Sequence, residues 1–385
     1  MGYNLNTSYA EYFAQKELII LSLNIDCKKS KSEDFAIFDV LKLIMSFFVV
    51  CIHTGIGATT TEMNLYFLQG LFRVAVPIFF FLAGYFLFRK IPKEKVMSKE
   101  SSETIKRYFY RILLIYVIWS FVYLVIAQIP EWIKNGFSLR DLFVYIEYAT
   151  IRGDSYLHLW YLSSLFTGVA LVFLSRKWFS LRDSLIISIV FFVVGLLLQP
   201  YYFLIKPVIE GFPVTNWLMY NIFNRFIGGP RCGLFFGFVY VALGAYFAEH
   251  KKVLPRYISL IGLIVSFALS IAEITLIDNK WSWDGGTYGA LQLSHIPLVI
   301  SLFCFLFSFK NVKIGHSKEI RSISTLVYLI HPAIILMAKL IPGYTQISKH
   351  LFVSGIIVYF LSIVISIVWI TAEKNKAFRF LKKIR

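Results

Sequence analysis

Ten apolar runs divide the chain, near residues 36–56, 71–89, 109–129, 157–175, 183–200, 232–248, 256–277, 288–309, 323–341 and 351–372. A hydrocarbon core of about 30 Å takes roughly 20 helical residues, and a backbone inside it must satisfy its own polar groups. Runs of this length predict helices rather than the shorter alternating strands of a membrane barrel. The expectation is an all-α polytopic membrane protein, a bundle of about ten transmembrane helices. Composition agrees, because 58% of residues are hydrophobic and 16% charged, whereas soluble domains carry about a quarter charged.

The loops set the orientation. Lys90, Lys93, Lys95, Lys99, Lys106 and Arg107 follow the second run, Arg176, Lys177 and Arg182 the fourth, and Lys251, Lys252 and Arg256 the sixth. Lys310, Lys313, Lys318 and Arg321 follow the eighth, and the alternate loops hold fewer cations. By the positive-inside rule both termini face the cytoplasm. This divides the chain into a cytoplasmic N-terminal segment (1–35), a membrane domain (36–372) and a basic cytoplasmic tail (373–385). A short interfacial helix is expected around Tyr9–Leu23, and the segment lacks the layout of a signal peptide. In the fifth run, Pro200 and the following "YYFLIKP" either extend the span or form a re-entrant segment.

The net charge of +17 is thus spent on topology rather than gathered on one basic face, and no nucleic-acid partner is expected. Cys27, Cys51, Cys232 and Cys304 have no metal-ligand spacing and read as small buried apolar residues. There is no GxSxG, P-loop or HExxH motif, so neither a serine elbow nor a metal site is expected.

Ionisable groups inside a span line a cavity or pair with one another. "FDVLKLIMSFFVVCIHTG" (38–55) carries three. Lys42 and His53 are eleven residues apart, about three turns plus 20°, so they share one face at depths ~16 Å apart. Lys42 is either a snorkelling anchor paired with Asp39 or a cavity cation. His53 is either a buried, hydrogen-bonded histidine or a base that moves a proton near neutrality. Arg73 opens the second run at the outer face, ahead of Pro77 and of the small pair Ala83-Gly84. Arg107 and Arg111 at the start of the third run serve as anchors or as paired donors to phosphates. His158 and Trp160 open the fourth run, as interfacial belt or substrate contacts, and Arg231 stands at the mouth of the sixth. His331-Pro332 lies mid-run in the ninth.

In their order along the chain, "FDVLKLIMSFFVVCIH", "RVAVPIFFFLAGYFLF", "RYFYRILLIYVIW", "HLWYLSSLF", "PRCGLFFGFVYVALGAYF" and "VYLIHP" resemble the integral-membrane acyltransferase family 3. That family includes O-acetyltransferases of cell-surface glycans, and the resemblance runs from about residue 36 to 372. His53 takes the position of its first-helix histidine. Lys42 stands where the family has arginine, and Ala83-Gly84-Tyr85 where it has SGY. The resemblance implies an O-acyltransferase working across the plasma membrane of a prokaryote. A cytoplasmic acyl-CoA, acetyl-CoA first among them, is a co-substrate, and no cofactor is permanently bound. The acceptor it implies is a hydroxyl of an envelope polysaccharide or lipid-linked sugar. In that scheme His53, Lys42 and Asp39 are catalytic, and Arg107 and Arg111 hold the CoA phosphates. Arg73, His158, Trp160 and Arg231 then line the acceptor mouth. The alternatives are a transporter or flippase without acyl transfer, and a non-catalytic membrane sensor.

Overall fold

A computed structural model describes residues 35–54, 70–218, 229–280, 291–341, 343 and 351–385. The expected helix at Tyr9–Leu23 lies outside the described residues. Those described are helical, with no strand among them. In chain order the helices are α1 (Ala36–Thr54), α2 (Ala75–Phe88), α3 (Lys99–Tyr123), α4 (Ile129–Asn135), α5 (Leu139–Glu147), α6 (Trp160–Ser175) and α7 (Leu181–Leu197). They continue with α8 (Tyr202–Gly211), α9 (Pro213–Leu218), α10 (Phe238–His250), α11 (Arg256–Lys280), α12 (His295–Phe307), α13 (Ser317–Ala338) and α14 (Leu351–Ala372). Each of the ten apolar runs falls on a helix. Six helical stretches among the described residues are long and apolar enough to cross a membrane, and a seventh span counts if α7 and α8 are one broken helix. The protein is a multi-pass membrane protein.

Three runs form shorter helices, at Phe72–Phe88, Trp160–Ser175 and His295–Phe307. At 1.5 Å per residue these reach only about 20–25 Å. Their neighbours cover them, so they need not match the lipid thickness. The fifth run bends by 74° between α7 and α8, where the helix stops before Pro200 and restarts at Tyr202.

Close approach fixes the centre of the bundle. A Cβ at Gly84 on α2 would collide with the carbonyl oxygen of Val241, and one at Gly244 on α10 with the carbonyl of Phe81. Two backbones can meet so tightly only where both surfaces lack side chains. Pro77 lies one turn into the helical stretch Phe72–Phe88, where its missing N–H leaves the Arg73 carbonyl without the helical donor four residues on. On this pair α6 and α7 pack against α10, and α1 and α12 against α2; α13 and α14 pack on α1, and α11 on α12.

The charged ends gather on one side. Glu249, near the end of α10, pairs with Lys93 after α2 at 3.4 Å and with Arg176 after α6 at 3.3 Å. The segment after α14 turns back as a 3₁₀ helix, Lys376–Ile384. There Arg385 pairs with Glu373 at 2.6 Å and bonds Ser322 at the start of α13. These are the ends that carry the cation-rich loops.

The region between α3 and α6 holds structure that the sequence does not announce. The helices α4 and α5 expose Ile133, Leu139 and Phe143, as amphipathic helices lying in a membrane interface do. After α5, a π turn (Tyr148–Arg152) carries the chain inward. Gly153 then takes φ +64°, and its carbonyl accepts from Ser163 Oγ at 2.8 Å.

Candidate functional site

The stripe on α1 opens into three adjoining spaces. The inner one, about 350 Å³, is lined by Lys42, Lys90, Arg111, Arg321 and by apolar and aromatic residues of α2, α3, α6 and α13. Asp39 lies beside it and is 1% exposed. Its carboxylate accepts two bonds from Arg321, Nε at 2.9 Å and Nη2 at 2.7 Å. This is a bidentate pair joining α1 to α13 across the sequence. Lys42 reaches the same carboxylate at 3.4 Å and lies 4.8 Å above the Phe86 ring. The pair Asp39–Lys42 expected from sequence is present, and Arg321 is the stronger partner by geometry.

A neck of about 60 Å³ follows, lined by His53, Arg73, Phe79, His158, Trp160, Tyr161, Arg231 and Tyr328 among others. Phe79, Tyr161 and Tyr328 also line the inner cavity. The Tyr328 hydroxyl donates to the His158 carbonyl at 2.7 Å, and Tyr161 lies 5.6 Å from Tyr328, ring to ring. Three histidines meet at this level. The rings of His53 and His331 are 5.1 Å apart, and those of His331 and His158 are 5.3 Å apart. His331 Nδ1 lies 3.0 Å from the Val327 carbonyl, which can only accept, so that nitrogen carries the proton and Nε2 is left as an acceptor. Among their ring nitrogens, His53 Nδ1, both nitrogens of His158 and His331 Nε2 are buried without a protein partner. Buried polar atoms of this kind ask for water or substrate.

The outer cavity, about 580 Å³, shares His53, Arg73, Trp160 and Arg231 with the neck. Its other walls bring Trp132, Tyr145, Tyr148 and Tyr156 together with Gln128, Asp141 and Asp154. Arg231 lies 5.7 Å over the Trp160 ring, and Ser164 Oγ holds the Arg231 carbonyl at 3.1 Å. Burial raises the Asp154 carboxyl above its ordinary value, with Arg231 and Arg152 pulling it back down.

The residues singled out from sequence therefore sort by place. His53, Arg73, Trp160 and Arg231 converge on the outer cavity, and His158 on the neck beneath it. Lys42 and Arg111 line the inner cavity, with Asp39 behind them. Arg107 is exposed and is not among the residues lining that cavity. Arg111 is also exposed, and it donates to the Arg385 carbonyl at 3.1 Å. Arg321, His331, Tyr161, Tyr328 and Asp154 were not proposed as site residues. Arg321 had a signal in the spacing test used for Lys42 and His53. It lies seven residues before Tyr328, about 20° from the same face.

A family model described as an acyltransferase domain matches residues 35–372. The chain belongs to acyltransferase family 3. The match ends where α14 ends. Two amino-acid racemases of Enterococcus faecalis are 25% and 26% identical to it over 333 and 352 residues. They cover 85% and 88% of this acyltransferase, which in turn matches 45% of each racemase. A serine/alanine racemase of Enterococcus gallinarum is 26% identical over 239 residues, 60% of this chain and 32% of that protein. The chain spans less than half the length of the curated relatives it matches. No solved structure matches it. Among the described residues, no group of three or more His, Cys, Asp or Glu is placed to hold a metal ion.

Proposed function

We propose that this acyltransferase is a ten-span enzyme of a bacterial plasma membrane with both termini in the cytoplasm. It carries an acyl group, acetyl in the simplest case, from cytoplasmic acyl-CoA to a hydroxyl of an envelope glycan. The observation that carries the reading is that two unlike cavities lie either side of one histidine-lined neck and share lining residues with it. The inner cavity's cations suit the phosphates of CoA, and Arg321 supplies the planar guanidinium that Lys42 lacks. The outer cavity's aromatic faces and mixed polar groups suit a polyhydroxylated ring.

In this mechanism the thioester carbonyl reaches the neck from the inner side. The acceptor hydroxyl attacks its carbon while His53 takes the hydroxyl proton. The tetrahedral intermediate collapses, the C–S bond breaks, and His53 returns its proton to the leaving sulfur, so that CoA departs as a thiol and the histidine is neutral again. Arg73 and Arg231 line the same neck and stabilise the oxyanion. His331 packs beside His53, ring to ring at 5.1 Å, with its Nε2 available to accept a proton.

The test is acyl transfer from radiolabelled acetyl-CoA in inside-out vesicles, wild type against His53→Ala at matched expression. Label reaching envelope glycan only with His53 present supports the reading. Acetyl-CoA left intact by both proteins removes acetyl as the donor group, and a repeat with succinyl-CoA then decides between another acyl donor and no CoA chemistry.

The racemase names of the relatives favour a second reading, passage of an amino acid through the same neck without acyl transfer. Uptake of labelled serine that is indifferent to CoA would favour it over the first.

A further inference from the structure

Three aromatic rings stand where the inner cavity meets the neck. Phe79 on α2, Tyr161 on α6 and Tyr328 on α13 line both spaces. Two of the rings are tied. Tyr328 donates its hydroxyl to the His158 carbonyl at 2.7 Å, and Tyr161 packs against Tyr328 at 5.6 Å and against Phe80 at 4.8 Å, ring to ring. Phe79 meets Tyr161 edge to face at 6.1 Å and has no polar atom in its side chain to tether it. The helix behind it is fixed, since the Phe81 carbonyl, two residues on, occupies the place that a Cβ on Gly244 of α10 would need.

The neck is the tightest of the three spaces, about 60 Å³ against about 350 Å³ inside and about 580 Å³ outside. Its aliphatic walls are Val49, Ile52, Val76 and Leu157. In the proposed reaction the thioester carbonyl stands beside His53, and the acceptor hydroxyl arrives from the outer cavity. An acyl chain that projected outward would occupy the acceptor's place, so it has to lie within the neck, against these walls and the three rings. Packed side chains yield little to an added methylene. Every acyl-CoA presents the same nucleotide part to the inner cavity, so discrimination among donors has to come where their chains differ. Of the three rings, Phe79 alone can be truncated without losing a hydroxyl.

We propose that Phe79 sets the length of the acyl chain that is transferred, its ring closing the neck against methylenes beyond acetyl. This deepens the proposed acyl transfer and rests on it. Phe79 takes no part in the bond changes and acts by the volume it denies. One methylene in an apolar pocket is worth about 10–200-fold in kcat/KM, so a single ring suffices to separate two-carbon from four-carbon donors.

The test is the rate of transfer in inside-out vesicles from acetyl-, propionyl- and butyryl-CoA, read as kcat/KM relative to acetyl, so that a loss of folded protein cancels. In the wild type each added methylene should lower the value about tenfold or more. Phe79→Ala should raise the butyryl-to-acetyl ratio at least about tenfold, and Phe79→Leu should raise it less. Phe86→Ala, which opens the inner cavity and not the neck, should leave the ratio at its wild-type value. A wild type that transfers butyryl as fast as acetyl overturns the inference, and so do Phe79→Ala and Phe79→Leu that keep the wild-type ratio. Succinyl transferred at the acetyl rate overturns it too, because that chain is as long as butyryl. Phe79 variants that melt as the wild type does yet transfer nothing from any donor also overturn it, since the ring would then serve the reaction itself. If acetyl is transferred and the ratio does not move, the inference alone fails; if the wild type consumes no acyl-CoA, the acyl-transfer reading fails and takes the inference with it.

Discussion

The inner and outer cavities are built from different chemistry, although both abut the same neck. Four cations line the inner one, Lys42, Lys90, Arg111 and Arg321, and the acid beside it, Asp39, is already held by Arg321 and Lys42. Phe79, Phe86, Tyr108, Tyr161 and Tyr328 complete its walls, so that side can accept a large anion that also carries an aromatic ring. The outer cavity holds five aromatic residues, Trp132, Tyr145, Tyr148, Tyr156 and Trp160, with charges of both signs between them. That side offers flat faces and hydrogen-bond partners. In the proposed reaction the contrast assigns donor and acceptor to separate surfaces, so a substitution on one side should alter one substrate's KM and leave the other's.

The sharpest break in that separation is His53, which belongs to both steps. His53→Ala should lower transfer by about 10²–10⁴, the range for losing a positioned proton acceptor, with the KM values of both substrates little changed. Measuring kcat and the two KM values separately checks this. Arg321→Ala comes next. It leaves the buried Asp39 with Lys42 alone and should cost roughly 2 kcal/mol of stability. It should also raise the KM for acyl-CoA, with partial recovery in Arg321→Lys. Thermal melting beside donor kinetics would show both effects.

Lys42→Ala should raise the donor KM about tenfold through loss of one phosphate contact, whereas Lys42→Arg should hold or lower it. Trp160→Ala should act only outside, raising the acceptor KM several-fold, about what a lost aromatic contact gives. The smallest effect concerns pH. Because burial raises the Asp154 carboxyl, it gains its proton on acidification above the ordinary carboxylate range. Below that point Arg152 and Arg231 lose their counter-charge. The acceptor KM should therefore change with pH on the acid side in wild type and be flat there in Asp154→Asn.

Much of the architecture was legible because membrane burial writes itself locally. Apolar run length gave the helices, and eleven-residue spacing placed Lys42 and His53 on one face. The small residues Ala83-Gly84 marked the tight contact between α2 and α10. What escaped was non-local. Arg321 read as one more loop cation because its partner Asp39 is 282 residues away in sequence. His331-Pro332 read only as a pair in the middle of the ninth run, and only the bundle sets the histidine ring beside His53 and His158. The segment from α4 to Asp154 read as a loop, since its short amphipathic helices lack the length that betrays a span. Arg107 and Arg111 looked like equivalent donors, yet only Arg111 turns toward the inner cavity, because four residues on a helix advance about 40° past a full turn and neighbouring side chains decide which of two such positions is covered.

The narrowness of the neck has an electrical consequence. A space of about 60 Å³ walled partly by Phe79, Tyr161 and Tyr328 has no room for a hydrated ion, while an acyl group is small and uncharged. In the proposed reaction the acyl group passes outward as the hydroxyl proton passes inward to the leaving sulfur, and this exchange moves no net charge through the membrane field. Turnover should then neither draw on the transmembrane voltage nor respond to it, and a cell could modify its outer surface while its energy gradient stays intact.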